Sequence, residues 1–367
     1  MWPDGQVIGE ALRQLSILLA EDFQVEVVGQ SRSKGKASAD GASSLSAKIA
    51  RSWASSSSSI SVRIFDAIFF GFWVVFRLLL FRPRRVYVAT DPPVIIPFIA
   101  ACYCRLTGAK LLYHVQDIHP EIANTLLEMN PIVYKALASL DCFALRSSAA
   151  IVTLSDDMRK TLIGREAGVP SVEILPNPAI FFQSTCDNKD LDFVFCGNAG
   201  RLQLIPDLVA GIELYLSLGG GMRFDFAGGG ANVEMIIELA SKFDSVTYHG
   251  LLDAESAMVL MQRGRWGLMP ISTSIACLAF PSKSSSYLMA GCSIVCISEQ
   301  ETSIASWVES NDFGIAVSSS PIHLAELFRR VEFSPQSYIA GYSRKELADV
   351  FSVSSFASRL AQKIAKM

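Results

Sequence analysis

The chain has 367 residues, of which half are hydrophobic and 18% are charged, and its 32 Lys and Arg nearly balance its 35 Asp and Glu. This length exceeds what one hydrophobic core usually organises, so two domains are expected. The near-neutral balance excludes the strong basic field that a nucleic-acid partner requires. The eight cysteines and four histidines lack the spacing typical of zinc sites, so no metal ion and no cofactor are predicted.

The N-terminal segment combines a helix, a strand and a serine-rich stretch. Apolar residues at helical spacing predict a helix over 10–20, and the valines at 25–28 predict a strand. A parallel sheet that begins with a loop and a helix lacks one strand, so the first strand of the N-terminal domain is expected to be missing. Residues 31–59 are rich in Ser, Lys, Ala and Gly and predict a flexible loop.

A strongly apolar segment follows at residues 64–81. It contains Asp66 and Arg77, which shorten its uncharged run below the about 20 residues that a membrane-spanning helix needs. Two interpretations remain open: an amphipathic helix in the membrane interface, with flanking arginines at anionic headgroups, or a helix buried against the N-terminal sheet. Because no secretory signal is visible, we expect a cytoplasmic protein that is peripheral to the inner face of the cytoplasmic membrane.

Strands and helices alternate along most of the remaining chain, a pattern typical of parallel α/β sheets. The alternation pauses at Pro176-Asn177-Pro178, which continues neither a helix nor a strand easily. We therefore expect an α/β protein with an N-terminal Rossmann-like domain at 1–180 and a second such domain at 185–340. The terminal helices at 341–367 are candidates for packing back against the first domain.

Two glycine-rich loops follow predicted strands of the second domain. The first is Gly197-Asn198-Ala199-Gly200-Arg201, and the second is Gly228-Gly229-Gly230. In open α/β sheets ligands bind beyond the carboxyl ends of the strands, where glycine lets the backbone approach a phosphate. Each loop alone is either such a site or a tight turn.

A third loop, Pro281-Ser282-Lys283, precedes a predicted helix at 284–290. A serine that caps the helix, free backbone amides and a lysine at the helix start together favour an anion-binding site. A solvated lysine on a capped helix is the alternative. The lysine opposes the helix dipole, so it gains most when an anion is bound, and the anion site is the favoured interpretation.

The order of these motifs resembles glycosyltransferase family 4, which has the GT-B fold. The resemblance covers nearly the whole chain and is carried by the following segments: Trp2-Pro3-Asp4 with Gly9, Val115-Gln116-Asp117-Ile118-His119-Pro120-Glu121, Ile174-Leu175-Pro176-Asn177, the two glycine loops, Tyr248-His249-Gly250, Gly267-Leu268-Met269-Pro270, and Pro281-Ser282-Lys283 with Tyr287 and Ala290-Gly291. It is strongest to bacterial enzymes that build capsule, exopolysaccharide or O-antigen units. It implies two Rossmann-like domains whose parallel sheets face each other across a cleft.

The resemblance also implies an activity and a set of residue roles. A nucleoside diphosphate sugar would donate a hexose-type sugar with retention of configuration, and no cofactor would be needed. Lys283 is the expected main cation, and Arg201 is a second one. Asp117 or Glu121 would orient hydroxyl groups of the sugar or the acceptor, and Glu299 and Glu301 would contact the ribose. Gly5 and Gly9 would belong to an acceptor-side loop. The other donor-binding groups would be Ser282, Pro281, the amides from Asn198 to Gly200, Gly197, Gly228 and Gly229. Helix capping near Pro120 is an equal alternative for Asp117 and Glu121.

Three positions depart from the family pattern. Leu278 and Ser286 stand where many members carry two glutamates, and Gln116 stands where many carry a histidine. Two alternatives therefore remain beside the transferase: a catalytically inactive GT-B partner subunit and a GT-B nucleotide-sugar epimerase. The apolar segment at 64–81 predicts that the acceptor is a saccharide on a polyprenyl diphosphate at the membrane surface.

Overall fold

The structure, a computed structural model, describes residues 7–31, 45–53, 60–166, 168–179, 189–298, 302–334, 342 and 344–367. The chain divides into two compact units, Met1–Pro176 with Val353–Met367, and Asn177–Ser352. We call them the first and the second unit. The chain passes between them at Pro176-Asn177, and only the last helix returns to the first unit.

The first unit contains helices on two parallel sheets. Its elements are α1 (Val7–Ala20), β1 (Val25–Ser31), β2 (Leu45–Arg51), α2 (Ile60–Phe81), β3 (Arg85–Ala89), α3 (Ile95–Thr107), β4 (Lys110–His114), α4 (Glu121–Leu127), α5 (Pro131–Ser147), β5 (Ala150–Thr153), α6 (Asp156–Arg165), β6 (Val172–Ile174) and, at the end of the chain, α15 (Val353–Lys366). One sheet pairs β1 with β2, and the other has the order β3-β4-β5-β6. Helix α15 packs on α1.

The prediction of a flexible loop over 31–59 is wrong for part of that range. Residues Leu45–Arg51 form β2, which pairs in register with β1 from Val25↔Leu45 to Ser31↔Arg51. Leu45, Ala47 and Ile49 alternate with polar residues, which is the period of a strand with two different faces. The surrounding serines concealed this short alternation. Residues 32–44 and 54–59 of the predicted loop lie outside the described residues.

The second unit is built on one parallel sheet. Its elements are β7 (Leu191–Cys196), α7 (Ile205–Ser217), β8 (Phe224–Ala227), α8 (Val233–Lys242), β9 (Val246–Tyr248), α9 (Ala254–Arg263), β10 (Gly264–Pro270), α10 (Thr273–Ala276), α11 (Lys283–Met289), β11 (Ser293–Ile297), α12 (Ser303–Ser310), β12 (Gly314–Val317), α13 (Pro321–Phe333) and α14 (Arg344–Phe351). The strand order is β12-β11-β10-β7-β8-β9. The elements after β11 and before α15 were not anticipated from the sequence.

Aromatic side chains fill the core under this sheet. Phe193 of β7 stacks on Phe224 of β8 with ring centres 5.0 Å apart, and Phe328 of α13 meets both rings edge-on at 5.0 Å. All three side chains are fully buried. Buried aromatic groups contribute large apolar areas and favour offset or edge-on contacts, so this cluster fixes the strands from which the glycine loops emerge.

Candidate functional site

The sheet of the second unit reverses its strand order between β7 and β10. From β7 the chain proceeds outward through β8 to β9, then returns to β10 beside β7 and proceeds outward in the opposite direction through β11 to β12. Loops that leave adjacent strands in opposite directions open a crevice at their carboxyl ends, which is where ligands bind in such sheets. The Gly197 loop leaves β7 at this point.

The two glycine loops pack against each other. A Cβ atom on Gly228 would lie 2.0 Å from the carbonyl oxygen of Gly197, and one on Gly230 would lie 2.5 Å from the carbonyl carbon of Ala199. Both glycines also have left-handed φ angles, 125° and 134°. The sequence therefore needs glycine at both positions for space as well as for conformation.

Lys283 crosses directly over the start of the Gly197 loop. Its Cε atom lies 2.7 Å from the position that a Cβ on Gly197 would occupy, and its Nζ atom lies 3.8 Å from the ring centre of Phe195. The structure thus brings together the first and the third sequence-predicted loops. Glycine at position 197, with φ 138°, is what allows the lysine stem to approach this closely.

The ammonium group of Lys283 forms no salt bridge with any carboxylate among the described residues. Burial lowers its pKa from 10.5 to about 7, and the contact with the Cys196 thiol raises it only in part. The face of the Phe195 ring attracts a cation but does not neutralise it. Lys283 is half-buried, and a partly desolvated cation without a counter-ion is energetically costly, so this arrangement favours an anionic ligand.

Several backbone amides that the sequence interpretation assigned to the donor are already used by the protein. The Ala199 amide donates to the carbonyl oxygen of Gly229 at 2.6 Å, and the Gly200 amide donates to Oε1 of Gln203 at 2.8 Å. In this conformation nearby acceptors satisfy both amides, and their role in binding phosphate stays a prediction. Asn198 and Arg201 are exposed beside these amides.

The predicted capping role of Ser282 is also wrong. Ser282 precedes α11 with an α-helical backbone conformation, and its side chain accepts no hydrogen bond from the helix. Instead the Ser284 hydroxyl donates to the carbonyl oxygen of Pro281 at 2.8 Å. Ser282 is exposed and Pro281 is partly buried, so Lys283 carries the charge of this loop.

A histidine–aspartate pair joins β8 to the end of β9, and the sequence analysis did not single out its aspartate. His249 Nε2 lies 2.7 Å from Oδ1 of Asp225, whose carboxylate is buried with Oδ2 unpartnered. An acidic residue inside the apolar strand Phe224–Ala227 was the available signal, because burying a carboxylate needs a partner. The neighbouring Tyr248 hydroxyl donates to the Gly228 carbonyl oxygen at 2.8 Å and so ties β9 to the glycine loop.

In the first unit, Asp117 lies in the loop that follows β4. Burial, reinforced by the nearby Asp91 carboxylate, raises its pKa from 3.8 to about 6. The backbone amide of Gln116 donates to the Thr90 hydroxyl oxygen at 3.3 Å, which links this loop to the loop after β3. A carboxyl group with a pKa near neutrality is suited to orienting hydroxyl groups or exchanging protons.

Glu121 is held in an ion-pair network. Arg165 Nη1 lies 3.2 Å from Glu121 Oε2 and 3.2 Å from Asp141 Oδ2, and it also donates to the carbonyl oxygen of His119 at 2.9 Å. The Tyr113 hydroxyl donates to Asp141 Oδ1 at 2.7 Å. The pKa of His119 is lowered to about 4 by burial and by Arg165. Glu121 therefore has a structural ion-pair partner, whereas Asp117 has none among the residues that the structure describes.

The remaining predicted site residues are placed as follows. Gly9 was expected in an acceptor-side loop, but it is buried inside α1, because the helix already begins at Val7. Gly5, Glu299 and Glu301 lie outside the described residues. Leu278, at a position where the resembled family often carries a glutamate, is buried. Among the described residues, no three His, Cys, Asp or Glu side chains are grouped closely enough to hold a metal ion.

Helix α2 presents a continuous apolar face to solvent. By length and composition it could cross a membrane. Its two central charges point inward: Asp66 accepts from the Ser52 hydroxyl at 2.7 Å, and Arg77 pairs with Glu26 of β1. The outward face consists of Ile64, Phe65, Ile68, Phe69, Phe72, Val75, Phe76, Leu79 and Leu80, all exposed. The opposite face packs against β1 and α3, with Phe70 and Val74 buried, so α2 lies against the N-terminal sheet on one side and is exposed on the other.

No protein-family profile and no curated protein matches this sequence. Solved structures do match its fold. A sucrose-phosphate synthase from Thermosynechococcus elongatus aligns with 98% of this chain and 93% of its own at a TM-score of 0.72 and 11% identity. The structure described as trehalose-6-phosphate from E. coli bound with UDP-2-fluoro glucose covers 100% of this chain and 97% of its own, at a TM-score of 0.70 and 12% identity. WaaG, a glycosyltransferase involved in lipopolysaccharide biosynthesis, covers 100% of this chain and 97% of its own, at a TM-score of 0.65 and 14% identity.

These neighbours are GT-B glycosyltransferases. The chain is similar to them over nearly its whole length, and the expected GT-B fold is thereby confirmed. At 11–14% identity the similarity defines the fold.

Proposed function

We propose that the protein is a glycosyltransferase that uses a nucleoside diphosphate sugar. The observation that carries this proposal is Lys283, a cation without a carboxylate partner among the described residues, placed over Gly197 at the point where the sheet reverses. A diphosphate supplies the missing negative charge. The fold supports the same substrate class, since one neighbour of that fold is bound to UDP-2-fluoro glucose and another, from Anabaena, to UDP.

In the proposed reaction a hexose-type sugar is transferred with retention of configuration. The acceptor hydroxyl forms a bond to the anomeric carbon on the face from which the diphosphate departs, and the bond between that carbon and the phosphate oxygen breaks. The acceptor proton passes to the departing diphosphate. Negative charge accumulates on the leaving group, so protonated Lys283 stabilises the transition state. Asp117 orients hydroxyl groups of the sugar or the acceptor.

We further propose that the acceptor is a saccharide on a polyprenyl diphosphate and that the product serves surface-polysaccharide synthesis. The exposed face of α2 supports an enzyme that works at the cytoplasmic surface of the membrane. A surface of aromatic and aliphatic side chains, with the exposed Arg82 and Arg84 directly after the helix, suits the interface between acyl chains and anionic headgroups. Because Asp66 and Arg77 are paired inside the protein, they do not oppose this docking.

The transferase proposal is tested by measuring transfer of radiolabelled sugar from UDP- and GDP-sugars to a bacterial lipid extract. The variant Lys283→Met should abolish transfer. The variant Lys242→Met is the matched control, because Lys242 lies on α8 of the same unit in an exposed pair with Glu213, and it should retain activity. Transfer that is equal in all three proteins would reject the proposed site.

Membrane docking is tested by co-sedimentation with vesicles of phosphatidylethanolamine and phosphatidylglycerol. The triple variant Phe72→Gln, Phe76→Gln and Leu79→Gln should lose most vesicle binding, because burial of each apolar side chain contributes about 1.5 kcal/mol to the binding free energy. The control triple variant Leu106→Gln, Leu127→Gln and Ile132→Gln changes equally exposed apolar residues of the first unit outside α2 and should bind as the wild type does. Equal sedimentation of both variants would contradict the role of α2.

An inactive partner subunit is the second candidate function. Its specific support is the buried Leu278 at a position where the resembled family often carries a carboxylate. This alternative predicts nucleotide binding that depends on Lys283 but no sugar transfer by the isolated protein. The transfer assay therefore distinguishes the two functions.

A further inference from the structure

The hydrogen-bond ladder between β7 and β10 is interrupted at the crevice. The two strands pair directly from Leu191↔Gly264 through Phe193↔Trp266 to Val194↔Gly267. Beyond this register both strands continue, β7 to Cys196 and β10 to Pro270. The interruption coincides with the reversal of the strand order, and the Gly197 loop begins directly after it.

The hydroxyl group of Tyr287 occupies the interruption. The Cys196 amide donates to Tyr287 Oη at 3.1 Å, and Tyr287 Oη donates to the carbonyl oxygen of Leu268 at 3.1 Å. In an ordinary ladder one hydrogen bond of about 2.9 Å joins the strands. Two hydrogen bonds in series hold the two backbones farther apart while satisfying both polar groups.

The rest of the Tyr287 side chain is accommodated by a glycine in β10. A Cβ atom on Gly267 would lie 2.3 Å from Cγ of Tyr287, and the tyrosine is fully buried. The backbone of Gly267 is not in the left-handed region, so glycine is needed here for space. Gly267 and Tyr287 thus form a matched pair that keeps the strands apart.

Tyr287 also lies one helical turn after Lys283 on α11. Residues four apart share a helix face, so the same helix face carries the hydroxyl that binds the Cys196 amide and the lysine that crosses Gly197. Cys196 and Gly197 are adjacent in the chain. One side chain therefore fixes both partners of the site: the backbone that leads into the glycine loop and the helix that carries the cation.

We propose that Tyr287 is a positioning residue that sets the separation between Lys283 and the Gly197 loop and thereby the affinity of this site for a diphosphate. The inference rests on the proposed function for its ligand. The position of Tyr287 between the Cys196 amide and the Leu268 carbonyl group is a property of the protein alone. Tyr287 itself is fully buried, so we assign it a role through the backbone and the helix that it holds.

The test compares Tyr287→Phe with Tyr215→Phe. Tyr215 lies on α7 of the same unit, is equally buried, and accepts a hydrogen bond from the Met222 amide at 3.1 Å. Both variants lose a buried hydroxyl, so both should show similar decreases in Tm. Only Tyr287→Phe should raise the Kd for UDP or GDP, by about tenfold or more. Incorporation of 4-aminophenylalanine at position 287 should restore binding, because its amine both donates and accepts a hydrogen bond.

A second measurement needs no nucleotide. The pH dependence of Lys283 labelling by an amine-reactive reagent, read by peptide mass spectrometry, should shift in Tyr287→Phe and remain unchanged in Tyr215→Phe. Unchanged labelling together with equal nucleotide affinity in both variants would overturn the positioning role. A shifted labelling profile in a protein that binds no nucleotide would support the positioning role and reject the proposed function.

Discussion

The two units treat buried charge in opposite ways. In the first unit, Arg165 lies between Glu121 and Asp141, and each charge has a partner. In the second unit, Lys283 lies over Gly197 and Phe195 without a carboxylate partner among the described residues. A network of paired charges holds elements together, whereas a half-buried cation without a carboxylate partner costs stability unless a ligand completes it. The presence or absence of a carboxylate partner therefore distinguishes the structural network around Arg165 from the candidate binding site around Lys283.

The largest expected effect breaks the scaffold. Arg165→Met leaves the carboxylates of Glu121 and Asp141 without their cation, and we expect it to lower the free energy of unfolding by about 3–5 kcal/mol. Chemical denaturation measures this change. Arg146→Met removes a half-exposed pair with Glu166 and should cost about 1 kcal/mol or less. Similar losses in both variants would contradict the structural role of the network.

The next effect concerns Asp117, which forms no salt bridge with any of the described residues. Asp117→Asn should lower kcat for sugar transfer by about a hundredfold while leaving the nucleotide Kd unchanged. Because the pKa of Asp117 is raised to about 6, wild-type activity should decline as the pH falls below that value. The decline should be absent from the residual activity of the variant. A full-rate Asp117→Asn enzyme would remove this residue from the mechanism.

A smaller effect separates backbone strain from the loss of space at the binding site. Gly197→Ala and Gly219→Ala both force alanine into a left-handed conformation, with φ of 138° and 85°, at about 1 kcal/mol or more of stability. Only at Gly197 would the new Cβ meet Lys283, while at Gly219 it meets nothing within 4 Å. Nucleotide affinity should therefore fall only in Gly197→Ala, as measured by titration calorimetry.

The last effect is a pH dependence with opposite signs for binding and stability. The diphosphate binds protonated Lys283, whose pKa in the free protein is about 7, so the Kd should rise about fivefold between pH 7 and pH 8. Without ligand, the unfolded lysine retains its proton up to about pH 10.5, so this group makes the folded state more stable as pH rises from about 7 to 10.5. Lys283→Met should remove both dependences, and a pH-independent Kd in the wild type would contradict the assignment.

Sequence periodicity was sufficient for most of the fold. The alternation of strands and helices from β3 to β11, except for the short helices α4 and α10, followed from apolar spacing. The glycines of the first two loops marked the ends of their strands, and Pro281 marked the approach to α11. Strand β2 was missed because its alternation is only seven residues long and is surrounded by serine. The inward direction of Asp66 and Arg77 was also hidden, because their partners Ser52 and Glu26 lie elsewhere in the chain.

The candidate site was only partly accessible from sequence. Lys283 and Gly197 carry signals of their own, a cation at a helix start and a glycine at a strand end. Which amides remain free depends on acceptors such as Gln203 and Gly229, and spacing does not reveal these contacts. The partnership of Glu121 with Arg165 joins residues 44 positions apart, and no local pattern predicts it.

The most direct measurement of the central claim is calorimetric titration of UDP and GDP into the wild type, Lys283→Met and Lys242→Met at pH 7. The account predicts that one of the two nucleotides binds the wild type and Lys242→Met with the same Kd. It predicts that Lys283→Met binds the nucleotide at least about thirtyfold more weakly, because the variant loses one charged hydrogen bond that contributes about 2 kcal/mol to the binding free energy. Equal affinity in all three proteins would contradict it.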